Sequence, residues 1–406
     1  MQRATKLRKR RGLTVPVAAA AAAVAVGLAV PAMAAQGGGQ LSAPGAQVLG
    51  AGQVGSRAAV PWGRVGPGWS VVLYSAARGA EGTRPEAGPL TLYLVDPSGG
   101  RYRMFTWRAH SRETGWYLLA WSGDARRAMF VPTSELYNSG REQVFQLQLR
   151  TGAITSFRLP AGVSAVGYTR PDGLNILADR GQGVSAGATG TLMRFSLTGH
   201  LQKTLASVRG LGAAAYQPAG LEVAAGSRDG IALVSNAGGV IRRLIVPGVT
   251  EGCGAVRWWG AGTILASCAV SGTPGPQLWL VPASGATPTA LTPARRGYGF
   301  DQGDFNAWQL SSGLYLDGVS ACGTLVIGRQ PARGPEQQVR VPGAASSLIY
   351  AATRTRLLVQ RLGGCSPGAS LVWLNPASHQ MTVAVPVHGQ QWGVVGVAPY
   401  FVTGKF

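Results

Sequence analysis

The chain has 406 residues, 46% of them hydrophobic, which excludes a disordered polymer and suffices for one large domain with a substantial core. Its formal net charge is +21, yet no arginine run beyond the first residues interleaves with aromatics, so a nucleic-acid platform is not expected. The 60 Gly and 25 Pro fit a GC-rich genome that enriches Arg, Ala, Gly and Pro together, while the alternative is a surface of guanidinium groups suited to acidic cell-envelope polymers.

Residues 1–34 read as a signal peptide. Arg3, Lys6, Arg8, Lys9, Arg10 and Arg11 form a cationic start, Leu13 to Val30 is apolar, and Ala32-Met33-Ala34 is a small-x-small cleavage signature. Removal of these residues takes six basic groups and lowers the charge to +15. An uncleaved anchor is the other use of such a run, but Pro16 and Gly27 interrupt it, so no stable membrane span is expected after cleavage. Residues 35–60, rich in Gly, Ala, Gln and Ser, read as a flexible lead-in, and 61–406 as a single domain.

From Trp62 onward one phrase recurs roughly every 40 to 50 residues: two apolar runs, a third run of the type leucine-x-leucine, a Ser/Thr-Gly turn and a fourth strand. The clearest copy is Ala255 to Thr292, with AVRWW, TILASCAV and QLWLVPASGATPTALT. Four strands per unit at this period predict an all-β protein, a β-propeller with most simply seven blades, six and eight being alternatives. In the first unit Val71–Tyr74, Leu90–Val95 and Arg101–Trp107 are strands B, C and D. Further units follow at about 116–160, 163–208, 211–247, 253–292, 305–342 and 346–387. The first unit lacks a strand A. Trp392–Val397 (WGVVGV) is an A strand without B, C or D, so the C-terminal strand is expected to close the ring in the first blade; Val60–Val65 is the other candidate.

The turn phrases WSGD at Trp121 to Asp124 and RPDG at Arg170 to Gly173, with the later LWLVPASGATPTALT, resemble the repeats of TolB-like and WD-repeat-like secreted propellers over about 70 to 390. The resemblance implies a periplasmic or extracellular scaffold that binds proteins or small ligands, and it brings no invariant catalytic residue.

Four cysteines in an exported chain suggest two disulfides. On the blade map Cys253 precedes strand A of the fifth blade and Cys268 lies near the end of its strand B, ends that adjoin because the two strands are antiparallel, and Cys322 and Cys365 occupy matching B–C positions in the sixth and seventh. The pairs expected are therefore Cys253–Cys268 and Cys322–Cys365. Spacings of 15, 54 and 43 positions lack the short pairs of a zinc site, so no metal is expected.

Catalytic motifs are weak. Gly183-Val184-Ser185-Ala186-Gly187 matches a nucleophile elbow but is followed by the β-type run TLMRFSL where that motif needs a helix, so Ser185 is expected to be a loop residue. His110 with Glu113 is a lone pair, and His200 and His379 read as turn residues. Asp301 and Asp304 are the best local carboxylate pair, with calcium ligation or glycosidic chemistry as their active uses and a solvated loop as the plain one. The expectation is a non-enzymatic scaffold without cofactor that binds a protein or an acidic envelope polymer. Its long B–C loops share a face with the connection 293–306, where Arg295, Arg296, Tyr298, Phe300, Asp301 and Asp304 are the binding candidates. A propeller hydrolase or lyase acting on glycans is the alternative.

Overall fold

A computed structural model describes residues 48–78, 88–108, 115–132, 140–181, 188–271, 275–293, 303–319, 325–331, 333–363, 366–389 and 391–400. The first array begins with β1 (Val54–Ser56), β2 (Ser70–Arg78), β3 (Leu90–Val95) and β4 (Arg101–Trp107). The second contains β5 (Trp116–Trp121), β6 (Arg127–Pro132), β7 (Gln143–Gln148) and β8 (Ile154–Arg158). The third has β9 (Val163–Tyr168), β10 (Asn175–Arg180), β11 (Thr189–Ser196) and β12 (Leu201–Arg209). The fourth has β13 (Ala214–Tyr216), β14 (Glu222–Ser227), β15 (Gly230–Ser235) and β16 (Val240–Ile245). In the fifth are β17 (Val249–Trp258), β18 (Thr263–Val270), β19 (Gln277–Pro282) and β20 (Thr289–Ala290). The sixth comprises β21 (Asp304–Leu310), β22 (Gly313–Val319), β23 (Leu325–Gln330) and β24 (Gln337–Val339). The seventh comprises β25 (Ser346–Ala352), β26 (Leu357–Gly363), β27 (Ser366–Leu374) and β28 (Met381–Val385), before the final β29 (Gln391–Pro399).

The second to sixth arrays are separate four-stranded antiparallel sheets. β29 pairs antiparallel with β2, from Ser70 opposite Pro399 to Arg78 opposite Gln391, and so supplies the innermost strand of the first array. A single parallel contact of Ala369 with Gly393 then joins the first and seventh arrays into one nine-stranded sheet. Gly393 has φ +77° and a Cβ there would strike the Ala369 carbonyl, so this close approach requires glycine.

Apolar burial shows how the arrays are arranged. Among the described residues seven buried clusters each lie between two successive arrays, and the last, with Val72, Leu358, Leu371, Trp373 and Val394, joins the seventh back to the first. Strands packed on both faces are buried nearly end to end, as in β6 and β14, whereas outermost β8 and β16 are mostly exposed. The fold is an all-β propeller.

Two expectations change. Residues 57–59 and 62–64, within or beside the alternative closing segment Val60–Val65, form short 3-10 turns, Pro61 offering no N–H for a ladder. Part of the stretch expected as a lead-in is ordered: β1 lies parallel to β4 as a fifth, outer strand, with Val54 opposite Arg101.

Cys253 and Cys268 face each other across β17 and β18 and are joined by a disulfide, inside the strands and not in a loop ahead of them. Their neighbourhood is tight, for a Cβ at Gly226 of β14 would collide with the Cys253 carbonyl. The bond fits an oxidising compartment. Replacing both cysteines with serine should lower stability by about 2–4 kcal/mol, measured by urea denaturation under non-reducing conditions. Cys322 and Cys365 lie outside the described residues, as do residues 1–34, for which the sequence leads one to expect a signal peptide.

Candidate functional site

The C-terminal ends of five innermost strands, β29, β5, β9, β13 and β17, surround a cavity of about 280 Å³. In the second and third arrays the innermost strand turns into its B strand there through a short polar link. In the second array the Ser122 hydroxyl contacts Asp124 at 2.6 Å and accepts from the Arg127 N–H at 2.9 Å; in the third, Asp172 accepts from the Leu174 N–H at 3.0 Å. Leu119, Val166 and Val397 give apolar walls, with Trp121 and Trp258 beside them.

Two tyrosines on the wall turn their hydroxyls away into the array interfaces. Tyr168 donates to the Gln146 side chain at 3.3 Å and Tyr216 to Asn236 Oδ1 at 3.2 Å. Burial raises both phenol pKa values, that of Tyr216 to about 12, so both stay protonated at neutral pH.

The cationic groups are Arg170, just after β9, and Arg257 in β17. Arg170 donates to the Trp121 carbonyl at 3.4 Å. Tyr400 closes the same edge, with its ring 5.2 Å from Trp121 and its hydroxyl donating to the Gly123 carbonyl at 2.6 Å. Arg257 reaches toward the sixth array, donates to the Ala307 carbonyl and lies 3.6 Å above the Trp308 ring. Desolvation lowers the pKa of both guanidinium groups, and that of Arg257 falls to about 9, which leaves it charged at neutral pH.

Behind Trp308 lies Asp317, fully buried in β22. One carboxylate oxygen accepts from the Ile349 N–H at 2.9 Å and the other from the Trp308 indole at 3.4 Å. Burial pushes its pKa up to about 7; nearby Asp304 adds to the rise, while the Ile349 and Trp308 hydrogen bonds and the Arg257 charge oppose it. Arg257, Trp308, Asp317 and Ile349 thus link the fifth, sixth and seventh arrays near the inner strands.

Of the binding candidates read from the sequence, Arg295, Arg296, Tyr298, Phe300 and Asp301 lie outside the described residues. Asp304 is placed differently from the expectation: as the first residue of β21 it is 1% exposed, because its N–H bonds to the Pro276 carbonyl and the strand starts there. It is therefore no surface anchor, and its carboxylate neighbour is Asp317. Ser185, His110 and Glu113 also lie outside the described residues. His200 follows the turn whose Ser196 hydroxyl accepts its N–H at 3.1 Å, and His379 has φ +58° in another turn. Arg257 and Asp317 escaped the sequence reading, although each is a charge set in an apolar strand run, VRWW and LYLDGV, where burial demands a partner.

No protein family matches this sequence, and neither does a curated protein. Solved structures do. A prolyl endopeptidase is similar at 12% identity and TM-score 0.50, over 82% of this chain and 50% of that one. TolB from Acinetobacter baumannii is similar at 14% identity and TM-score 0.45, over 82% and 66%. The β-propeller domain of the Trilobed protease from Pyrococcus furiosus, with an open velcro topology, is similar at 10% and 0.48, over 79% and 95%. The chain spans about two thirds of the TolB chain and half of the endopeptidase. At these identities the likeness concerns the fold alone. Among the described residues no helix is long and apolar enough to cross a membrane.

Proposed function

We propose that this chain is an exported, non-enzymatic β-propeller that binds a protein, or an acidic cell-envelope polymer, through the loop face carrying 293–306. The observation that favours binding over glycan cleavage is the placement of Asp317. A glycosidase needs two carboxylates flanking an accessible bond. Asp317 is instead sealed behind Trp308 with both oxygens hydrogen-bonded, and Asp304 is buried beside it. The cationic start, the cleavage signature at Ala34 and the Cys253–Cys268 disulfide support export.

The partner face is tested by capturing a ligand from the envelope fraction of the native host and measuring its affinity for variants. Combined Arg296→Ala and Tyr298→Ala should weaken binding by more than ~2 kcal/mol while leaving the thermal midpoint nearly unchanged. Binding that survives this change, and is lost when the opposite-face turns at Pro97 or Gly285 are altered, would assign the partner to the other face.

A further inference from the structure

We propose that the cavity at the inner strand ends binds a small organic anion, a carboxylate carried on an apolar body. Charge is the first reason. Arg170 and Arg257 line the cavity, and among the described lining residues there is no Asp or Glu. Both guanidinium groups are largely withdrawn from water, so an anion that reaches them is attracted more strongly than at the protein surface. Burial already lowers the basicity of both arginines, so both cations sit where water screens them little.

Geometry is the second reason. Arg257 is pinned by Trp308 on one face and by the Ala307 carbonyl, yet its buried Nε has no hydrogen-bond partner among the described residues. A fixed guanidinium keeps its donor fork in place for a carboxylate without losing rotamer freedom on binding. Asp317 acts on Arg257 through space, but its oxygens are engaged by Ile349 and Trp308.

Size and wall chemistry define the rest of the ligand. About 280 Å³ lies at the small end of ligand pockets, which excludes a polymer or a folded segment and suits a molecule of a single ring or short chain. Trp121, Trp258, Leu119 and Val397 offer apolar contact to its body.

Benzoate and its neutral analogue benzamide test this, with affinities read by isothermal titration calorimetry on the folded chain. Benzoate should bind at least about tenfold more tightly than benzamide. Arg170→Gln and Arg257→Gln should each remove most of that difference and leave benzamide unaffected. Because Arg257 also stacks on Trp308, circular dichroism checks its fold, and if that variant fails to fold Arg170→Gln decides alone. Equal affinities for the two probes, no binding of benzoate at millimolar concentration, or benzoate binding unchanged in the folded arginine variants would overturn the proposal. None of those results bears on partner capture by the loop face, which is read with separate variants.

Discussion

A chain ended before Gln391, and so lacking β29, will not reach a cooperative folded state. That strand buries Val394 at 1% exposure with Val397 and Ala398, pairs with β2 along its length, and offers the Val394 carbonyl to the Gln360 side chain at 2.7 Å. Each buried valine is worth about 1.5–3 kcal/mol, so the two valines alone represent roughly 3–6 kcal/mol. A typical domain has only about 5–15 kcal/mol in total. Truncation would also expose the inner edge of β2 and open the cluster that joins the first and seventh arrays. The expected signs are loss of the near-ultraviolet circular dichroism signal and of a cooperative thermal transition, with both regained when a peptide of residues 391–400 is added. A truncated chain that melts cooperatively near the parent midpoint would refute closure by β29.

Asp317→Asn will flatten the dependence of stability on pH between about 4 and 7. The Asp317 pKa is about 7 in the folded chain against an ordinary 3.8, chiefly because burial disfavours its ionised form. Between those values the folded state holds a proton that the unfolded state has released. Stability from this group is therefore complete below the unfolded pKa and is lost as pH rises through the folded one. The difference between 3.8 and about 7 corresponds to about 4 kcal/mol at most. Urea midpoints across this range should fall with rising pH in the parent and fall less in the variant, which has no carboxyl at this position to titrate. Parallel curves would mean that Asp317 titrates normally and that the Arg257–Trp308–Asp317 link is misassigned. Trp308→Leu should lower the parent midpoint too, by removing both the indole hydrogen bond and the ring beneath Arg257.

Local pattern carried much of the architecture. WGVVGV stood out because an apolar strand without successors must find a partner elsewhere, and β29 finds it in β2. The repeated four-strand phrase was legible because strands buried on both faces read as continuous apolar runs. The cysteine pair 253 and 268 followed from the antiparallel order of strands A and B. By contrast, β1 is three residues of VGS with no periodicity to mark it; only its parallel pairing with β4 makes it a strand. The cavity was not legible either. Arg170 and Arg257 are 87 positions apart in sequence and come together only because successive arrays place equivalent strand ends around one axis. The burial of Asp304 is hidden in the sequence for a related reason: its neighbours read as a loop, whereas it pairs with β22 and its N–H bonds to the Pro276 carbonyl.

The reading of this propeller as a binding protein is tested most directly by turnover. The chain, at a small fraction of the substrate concentration, is incubated with glycans and acidic polymers from the host envelope, and new chain ends are followed by mass spectrometry while retention is measured on the same polymers immobilised. The expected result is no new ends over time, with the captured partner binding to saturation at one site per chain. New ends released in proportion to protein and time, and abolished by a single substitution in the chain, would contradict it and make this propeller an enzyme.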